Sequence, residues 1–181
     1  MAKEKIIIKT ADSEEFEAIG NLMVSVYSQL DGFPKQSDQP EYYKLLQNVG
    51  VLTKNPDIEI VIAKNSDNII LGAIVLIYDM KYYGSGGTAT QEKNAAGFRL
   101  LAVSPNARGQ GIGRKLTVEC IKRIEDKGIE RILIHTTKAM QTAWGMYEKI
   151  GFTRYENIDF MQGKLAVFGF QMENNLKNKK T

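Results

Sequence analysis

The sequence predicts an α/β (α+β) fold, a mixed central sheet of about seven strands with four helices. Three observations predict it. Apolar β-branched runs such as Ile58-Glu59-Ile60-Val61-Ile62-Ala63 alternate with stretches of helical period. The apolar run Phe98 to Val103, an amphipathic stretch and the run Arg131 to Thr137 follow one another, and strand, helix, strand implies a parallel pair with a right-handed crossover. Finally, 181 residues with 43% hydrophobic content suit one globular domain with a full core, read here as residues 1–173 with a polar basic tail at 174–181.

The elements follow in order. Lys5 to Lys9 is a β-branched strand, after which Asp12 and Ser13 offer an N-cap, with Glu15 as the capping-box partner of Asp12. Phe16, Ile19, Met23, Val26 and Leu30 place one apolar stripe on the first helix, which Asp31-Gly32-Phe33-Pro34 ends. A shorter helix runs from Pro40 to about Val49. The runs Ile58 to Ala63 and Ile69 to Leu76 flank Asn65-Ser66-Asp67-Asn68 and read as an antiparallel hairpin. The connection from Asp79 to about Asn94 contains Gly84-Ser85-Gly86-Gly87-Thr88; at that length it is either a functional segment, such as a substrate entrance, or an idle mobile loop. A strand at Phe98 to Val103 leads to a helix from about Arg114 that Gly128 closes. Then come a strand at Arg131 to Thr137, a helix at Met140 to Ile150, and strands at Phe152 to Phe160 and Leu165 to Met172.

Charge and composition exclude several classes. The net charge of +3 owes much to Lys177, Lys179 and Lys180 in the tail, and no aromatic residues interleave them, so nucleic-acid binding is not expected. The single cysteine, Cys120, forms no internal disulfide and shares a helix with Leu116, Ile121 and Ile124 as a small core residue, which makes a reducing cytoplasm the default. No apolar stretch reaches the roughly 18 residues of a membrane span. The expectation is a soluble cytoplasmic protein without a metal, and it leaves room for a homodimer.

The run Arg108-Gly109-Gln110-Gly111-Ile112-Gly113 stands between a strand and a helix. Glycines let a ligand reach main-chain N–H groups, and a helix N-terminus offers unpartnered N–H groups and partial positive charge, so a pyrophosphate is the expected guest. Arg108 and Arg114 add charge. A G-x-G-x-x-G fingerprint from Gly109 needs glycine where Arg114 stands; a P-loop ending at Gly113 needs glycine at Arg108 and Lys-Ser/Thr where Arg114-Lys115 stands. Neither fits. The pattern R/Q-x-x-G-x-G/A does, through Arg108, Gly111 and Gly113, preceded by Leu101-Ala102-Val103-Ser104-Pro105. Downstream, Ala143-Trp144-Gly145-Met146-Tyr147-Glu148-Lys149-Ile150-Gly151-Phe152 approaches A-x-x-x-Y-E-K-x-G-F.

These two motifs resemble those of the GNAT acetyltransferase superfamily, and the element order extends the resemblance over almost the whole chain. It implies that the sheet splays between the fourth and fifth strands and that acetyl-CoA is the cosubstrate. The implied coenzyme contacts are Leu101, Val103, Arg108, Gly109, Gln110, Gly111, Ile112, Gly113 and Arg114. The main-chain N–H of Val103 is the implied oxyanion donor, and Tyr147 the implied proton donor to, or hydrogen-bond partner of, the coenzyme sulfur, with a core tyrosine as the competing reading. The implied activity is transfer of acetyl to a primary amine of a small molecule or peptide by direct attack; the alternative is a non-catalytic coenzyme A binding or sensor module. Two departures stand out. Met140 replaces an asparagine that often contacts the coenzyme, and Asn94-Ala95-Ala96-Gly97 lacks the carboxylate that often serves as base. His135, Asp79, Glu92 or water remain as candidates for that role. The acceptor pocket is expected around Phe33, Tyr42, Tyr43, Tyr82 and Tyr83, whose rings could equally be packing.

Overall fold

Patterns of period two and 3.6 become strands and helices close to where they occur in the sequence, in a computed structural model that describes residues 5–174. The strands are β1 (Ile7–Thr10), β2 (Ile58–Lys64), β3 (Ile70–Ile77), β4 (Ala95–Val103), β5 (Arg131–Thr136), β6 (Thr153–Arg154), β7 (Phe160–Gln162) and β8 (Leu165–Glu173). The helices are α1 (Phe16–Ser28), α2 (Pro40–Gln47), α3 (Ile112–Asp126) and α4 (Gln141–Ile150). Hydrogen bonds join the strands in the order β1-β2-β3-β4-β5-β8-β6, with β7 against β8. The sheet is mixed as expected: β1 is antiparallel to β2 and β8 to β5, whereas β4 and β5 are parallel.

The parallel ladder is short. It joins Ala95, Ala96 and Gly97 to Arg131, Ile132 and Leu133, while β4 continues to Val103 and β5 to Thr136. At its last rung a Cβ on Gly97 would lie 2.3 Å from the Leu133 carbonyl oxygen, so only glycine fits. Beyond it Leu100 has φ +57°, a left-handed conformation that costs a residue with a Cβ roughly 1–2 kcal/mol and interrupts the pleat of β4. The β4–β5 ladder therefore ends before Leu101 and Val103, where the sheet was expected to splay.

The described residues divide into two compact units, one made of those up to Val75 with Leu100–Glu119, the other of Leu76–Arg99 with those from Cys120 on. In the first, α1 buries Ile19, Met23 and Tyr27 and α2 buries Tyr43 and Leu46. Gly20 allows main chain to meet main chain there, since a Cβ on it would stand 2.1 Å from the Gln47 carbonyl oxygen. The start of α1 is tied to the strands through Glu15. Its carboxylate accepts the Asp12 N–H at 2.8 Å and pairs with Lys64 at 2.6 Å and Lys9 at 3.1 Å. Burial alone raises the pKa of this carboxyl, but the bonds from Lys64, the Asp12 main chain and Lys9 outweigh it and bring it down to about 2. A depressed carboxyl stabilises the fold above its ordinary value of about 4.5, and that contribution fades as pH falls toward 2. Accordingly Glu15→Gln lowers the urea midpoint at pH 7, and the gap from the parent narrows when unfolding is repeated at pH 3.

The second unit packs Phe98, Tyr147 and Phe152 together, with ring centroids 5.8–6.0 Å apart, and Trp144 on Phe170 at 5.0 Å. Here the structure corrects two expectations. The stretch Phe152 to Phe160 is not one strand: β6 and β7 are separated by a 3₁₀ turn at Glu156–Ile158, which makes eight strands rather than about seven. The cause is Gly169 on β8, over which Ile158 and the Tyr155 carbonyl fold so closely that a Cβ would meet them at 2.2 and 2.5 Å. Arg154 and Asp159 hold the bend through paired bonds of 2.6 and 3.0 Å, and Asp159 accepts the Gly169 N–H at 2.7 Å.

The second correction concerns the connection 79–94, which has structure of its own. Met80–Tyr82 and Ala89–Gln91 are 3₁₀ turns, Thr88 Oγ1 donates to the Asn157 carbonyl at 2.9 Å, and the Gly86 and Gly87 main chain lies against the Phe160 ring. Its polar sequence concealed these anchors, because each is made by a residue remote in the chain. Residues 175–181 of the expected tail lie outside the described residues.

Candidate active site

The glycine turn ends β4's connection and opens α3. Arg108 is extended, and Gly109 and Gly111 have φ +79° and +74°, which a glycine adopts without strain. The Gly111 carbonyl accepts the first helical bond, from Lys115 N–H at 3.0 Å. Among the described residues no acceptor meets the N–H groups of Gly109, Gly111, Ile112, Gly113 or Arg114. Nothing lies within 4 Å of where a Cβ on Gly109 or Gly111 would stand. A cluster of uncovered donors at the positive end of a 15-residue helix is what a pyrophosphate requires. The helix is seated by a residue that sequence reasoning passed over. Gly72 on β3 lets Ile112 and Leu116 approach so closely that a Cβ would fall 2.8 Å from Ile112 Cγ2 and 3.0 Å from the Ala102 carbonyl oxygen. A lone glycine inside a β-branched strand was the available signal.

Leu101 and Val103 lie on β4 past Leu100. The Leu101 carbonyl already accepts the Tyr27 hydroxyl at 3.2 Å, a contact no motif announces, and a carbonyl oxygen has a second lone pair for a ligand. Of the aromatic residues expected at an acceptor pocket, Phe33 and Tyr43 are core: both are buried, and the Tyr43 hydroxyl donates to the Pro34 carbonyl at 2.8 Å. Tyr83 is buried as well, its hydroxyl donating to the Phe98 carbonyl at 3.3 Å and accepting the His135 main-chain N–H at 3.2 Å. Tyr42 is half-buried and Tyr82 is 40% exposed.

Tyr147 projects from α4 into the Phe98–Phe152 cluster and is 5% exposed. Burial pushes its phenol pKa well above the usual value, so the hydroxyl stays protonated. Among the described residues that hydroxyl makes no hydrogen bond. A buried tyrosine kept for packing ordinarily finds a partner. Cys120 is fully buried, as its place on the helix required.

The three candidate bases differ. Glu92 is committed, pairing with Arg131 at 2.8 Å and accepting the Tyr155 hydroxyl at 2.9 Å. Asp79 accepts the Lys81 N–H at 3.0 Å, which with the Lys81 ammonium lowers its pKa; it caps a 3₁₀ turn beside an open cleft of about 600 Å³. His135 holds its Nε2–H against the Ile158 carbonyl at 2.7 Å, and its Nδ1 is buried without a partner. Burial lowers its pKa and the nearby Arg99 lowers it further, against the Ile158 bond, so the ring is neutral with a bare Nδ1 lone pair. Among the described residues no cluster of His, Cys, Asp and Glu is arranged to hold a metal, and no helix is long and apolar enough to cross a membrane.

Residues 23–152 match the family described as Acetyltransferase (GNAT) family. The mycothiol acetyltransferase of Paenarthrobacter aurescens is 35% identical over 67 residues, which is 37% of this chain and 20% of that protein. N-alpha-acetyltransferase 30 of Schizosaccharomyces pombe is 34% identical over 59 residues, 33% of this chain and 39% of that protein. The match thus spans about a fifth of the first of these curated relatives and two fifths of the second. Among solved structures, a GNAT acetyltransferase from Staphylococcus aureus superposes with TM-score 0.71 at 20% identity, covering 93% of this chain and 99% of that one. The PaiA N-acetyltransferase of Thermoplasma acidophilum, solved in complex with coenzyme A, gives 0.71 at 17% identity over 94% and 99%.

Proposed function

Because the chain belongs to the GNAT acetyltransferase family, we propose that it transfers an acetyl group from acetyl-CoA to a primary amine of a small molecule or peptide. The observation that carries this reading is the set of uncovered N–H groups on Gly109, Gly111, Ile112, Gly113 and Arg114 at the head of α3. Those donors, with Arg108 and Arg114, hold the pyrophosphate, and Gln110 completes the turn. Main-chain groups of Leu101 and Val103 hold the pantetheine arm, and the Val103 N–H stabilises the oxyanion. The amine nitrogen attacks the thioester carbonyl directly. The new C–N bond forms first and gives the oxyanion, which collapses as the C–S bond breaks; the Tyr147 hydroxyl gives its proton to the leaving sulfur and takes one back from solvent, to which the ammonium proton passes. With Glu92 and Asp79 held in bonds of their own, and His135 bonded through Nε2 with its Nδ1 buried, water is the proton acceptor in this scheme.

The test is thiol release from acetyl-CoA with a panel of amines, polyamines and peptides. Amine-dependent release is expected. Tight coenzyme binding with no turnover on any acceptor would instead assign the chain to a coenzyme A binding or sensor module.

A further inference from the structure

Arg99 sits on β4, half-buried, just past the last rung of the parallel ladder at Gly97. Its guanidinium is held in place on one side only: Nη1 donates to the Tyr83 carbonyl at 2.6 Å, and the group lies 5.7 Å from the Tyr83 ring centroid. Gly84, at φ +69°, wraps closely around that side, where a Cβ would stand 3.2 Å from Nη1. The other edge, Nε and Nη2, makes no bond among the described residues and is open to solvent. Among the described residues no ion pair joins Arg99 to a carboxylate, and Glu92 and Asp159 pair with Arg131 and Arg154. A positioned arginine whose charge meets no carboxylate is uncommon when it is half-buried, because partial desolvation without a counter-charge is costly.

The free Nε–Nη2 edge matches a carboxylate in two parallel hydrogen bonds. The same Tyr83 ring packs on His135 at 5.5 Å, whose Nδ1 lone pair lacks a donor. Both groups thus lie against the same Tyr83 ring. We infer that Arg99 binds the carboxylate of the acceptor, so that the amines this protein acetylates are amino acids or their close analogues. The inference rests on the acetyl-transfer reading above and makes Arg99 its specificity-determining residue. Nothing in the glycine-turn pattern requires an arginine there.

The experiment compares matched pairs of free amino acids and their carboxamides as acceptors in the thiol-release assay, with the parent protein, Arg99→Gln and Arg99→Lys. The parent is expected to prefer the carboxylate of at least one pair. In Arg99→Gln the KM for that acceptor rises roughly 10- to 100-fold, the range of a charge-assisted hydrogen bond, while the KM of its carboxamide holds. Arg99→Lys keeps the charge without the fork and falls between the two. Coenzyme A affinity, measured by calorimetry, stays constant in both variants and reports that they are folded. Equal use of carboxylate and carboxamide by the parent overturns the inference, as does an Arg99→Gln loss that is the same for both members of a pair. If simple amines outside the pairs are turned over and the amino acids are not, the inference fails while acetyl transfer stands. Silence across every amine overturns both.

Discussion

Replacing Gly111 with valine is expected to abolish coenzyme A binding and to leave the fold standing. Two features combine to give this result. With φ at +74°, Gly111 occupies a region that a β-branched residue reaches only under strain of about 1–2 kcal/mol, so the variant relaxes the turn and misaims its N–H groups. A side chain at this position also projects into the space over those donors, where nothing of the protein lies within 4 Å of a Cβ. That openness is why the fold survives: no core atom is displaced, and Ile112 and Leu116 remain buried beneath the helix. Calorimetry reads the affinity and circular dichroism the fold. Unchanged affinity would remove the turn from the coenzyme site.

Tyr147→Phe is expected to lower kcat by roughly 10²- to 10⁴-fold, the usual contribution of general acid catalysis, with coenzyme affinity preserved. The stability cost is small. The ring keeps its contacts with Phe98 and Phe152, and among the described residues the hydroxyl it loses has no hydrogen-bond partner. Its raised pKa adds a second readout. The phenol remains protonated through the ordinary assay range, so the parent's rate shows no falling limb from this group below pH 10. A variant with near-normal kcat but a markedly lower melting temperature would make Tyr147 a packing residue and send the search for the proton donor to water.

Local chemistry accounts for what could be read without the structure. A left-handed glycine turn, a helix stripe and a strand–helix–strand order are all encoded by neighbouring residues, and each depends on backbone preferences that act over a few positions. That is why Gly111, the start of α3, the parallel β4–β5 pair and the buried Cys120 stand where the sequence puts them. The partners of side chains are another matter. Glu92 and Asp79 looked like free carboxylates beside a flexible loop, but Arg131, Tyr155 and Lys81 hold them, and the first two are brought to Glu92 from 39 and 63 residues away. The break between β6 and β7 was illegible for the same reason, since the close approach to Gly169 belongs to a different strand. Likewise only the folded chain showed that Arg99 has one edge bound to Tyr83 and the other open. Sequence by itself determined most of the elements and the left-handed glycine turn, because those follow from short-range conformational energy. Tertiary structure decided which polar groups are satisfied and which remain available, because a hydrogen bond depends on distance in space and not on separation along the chain.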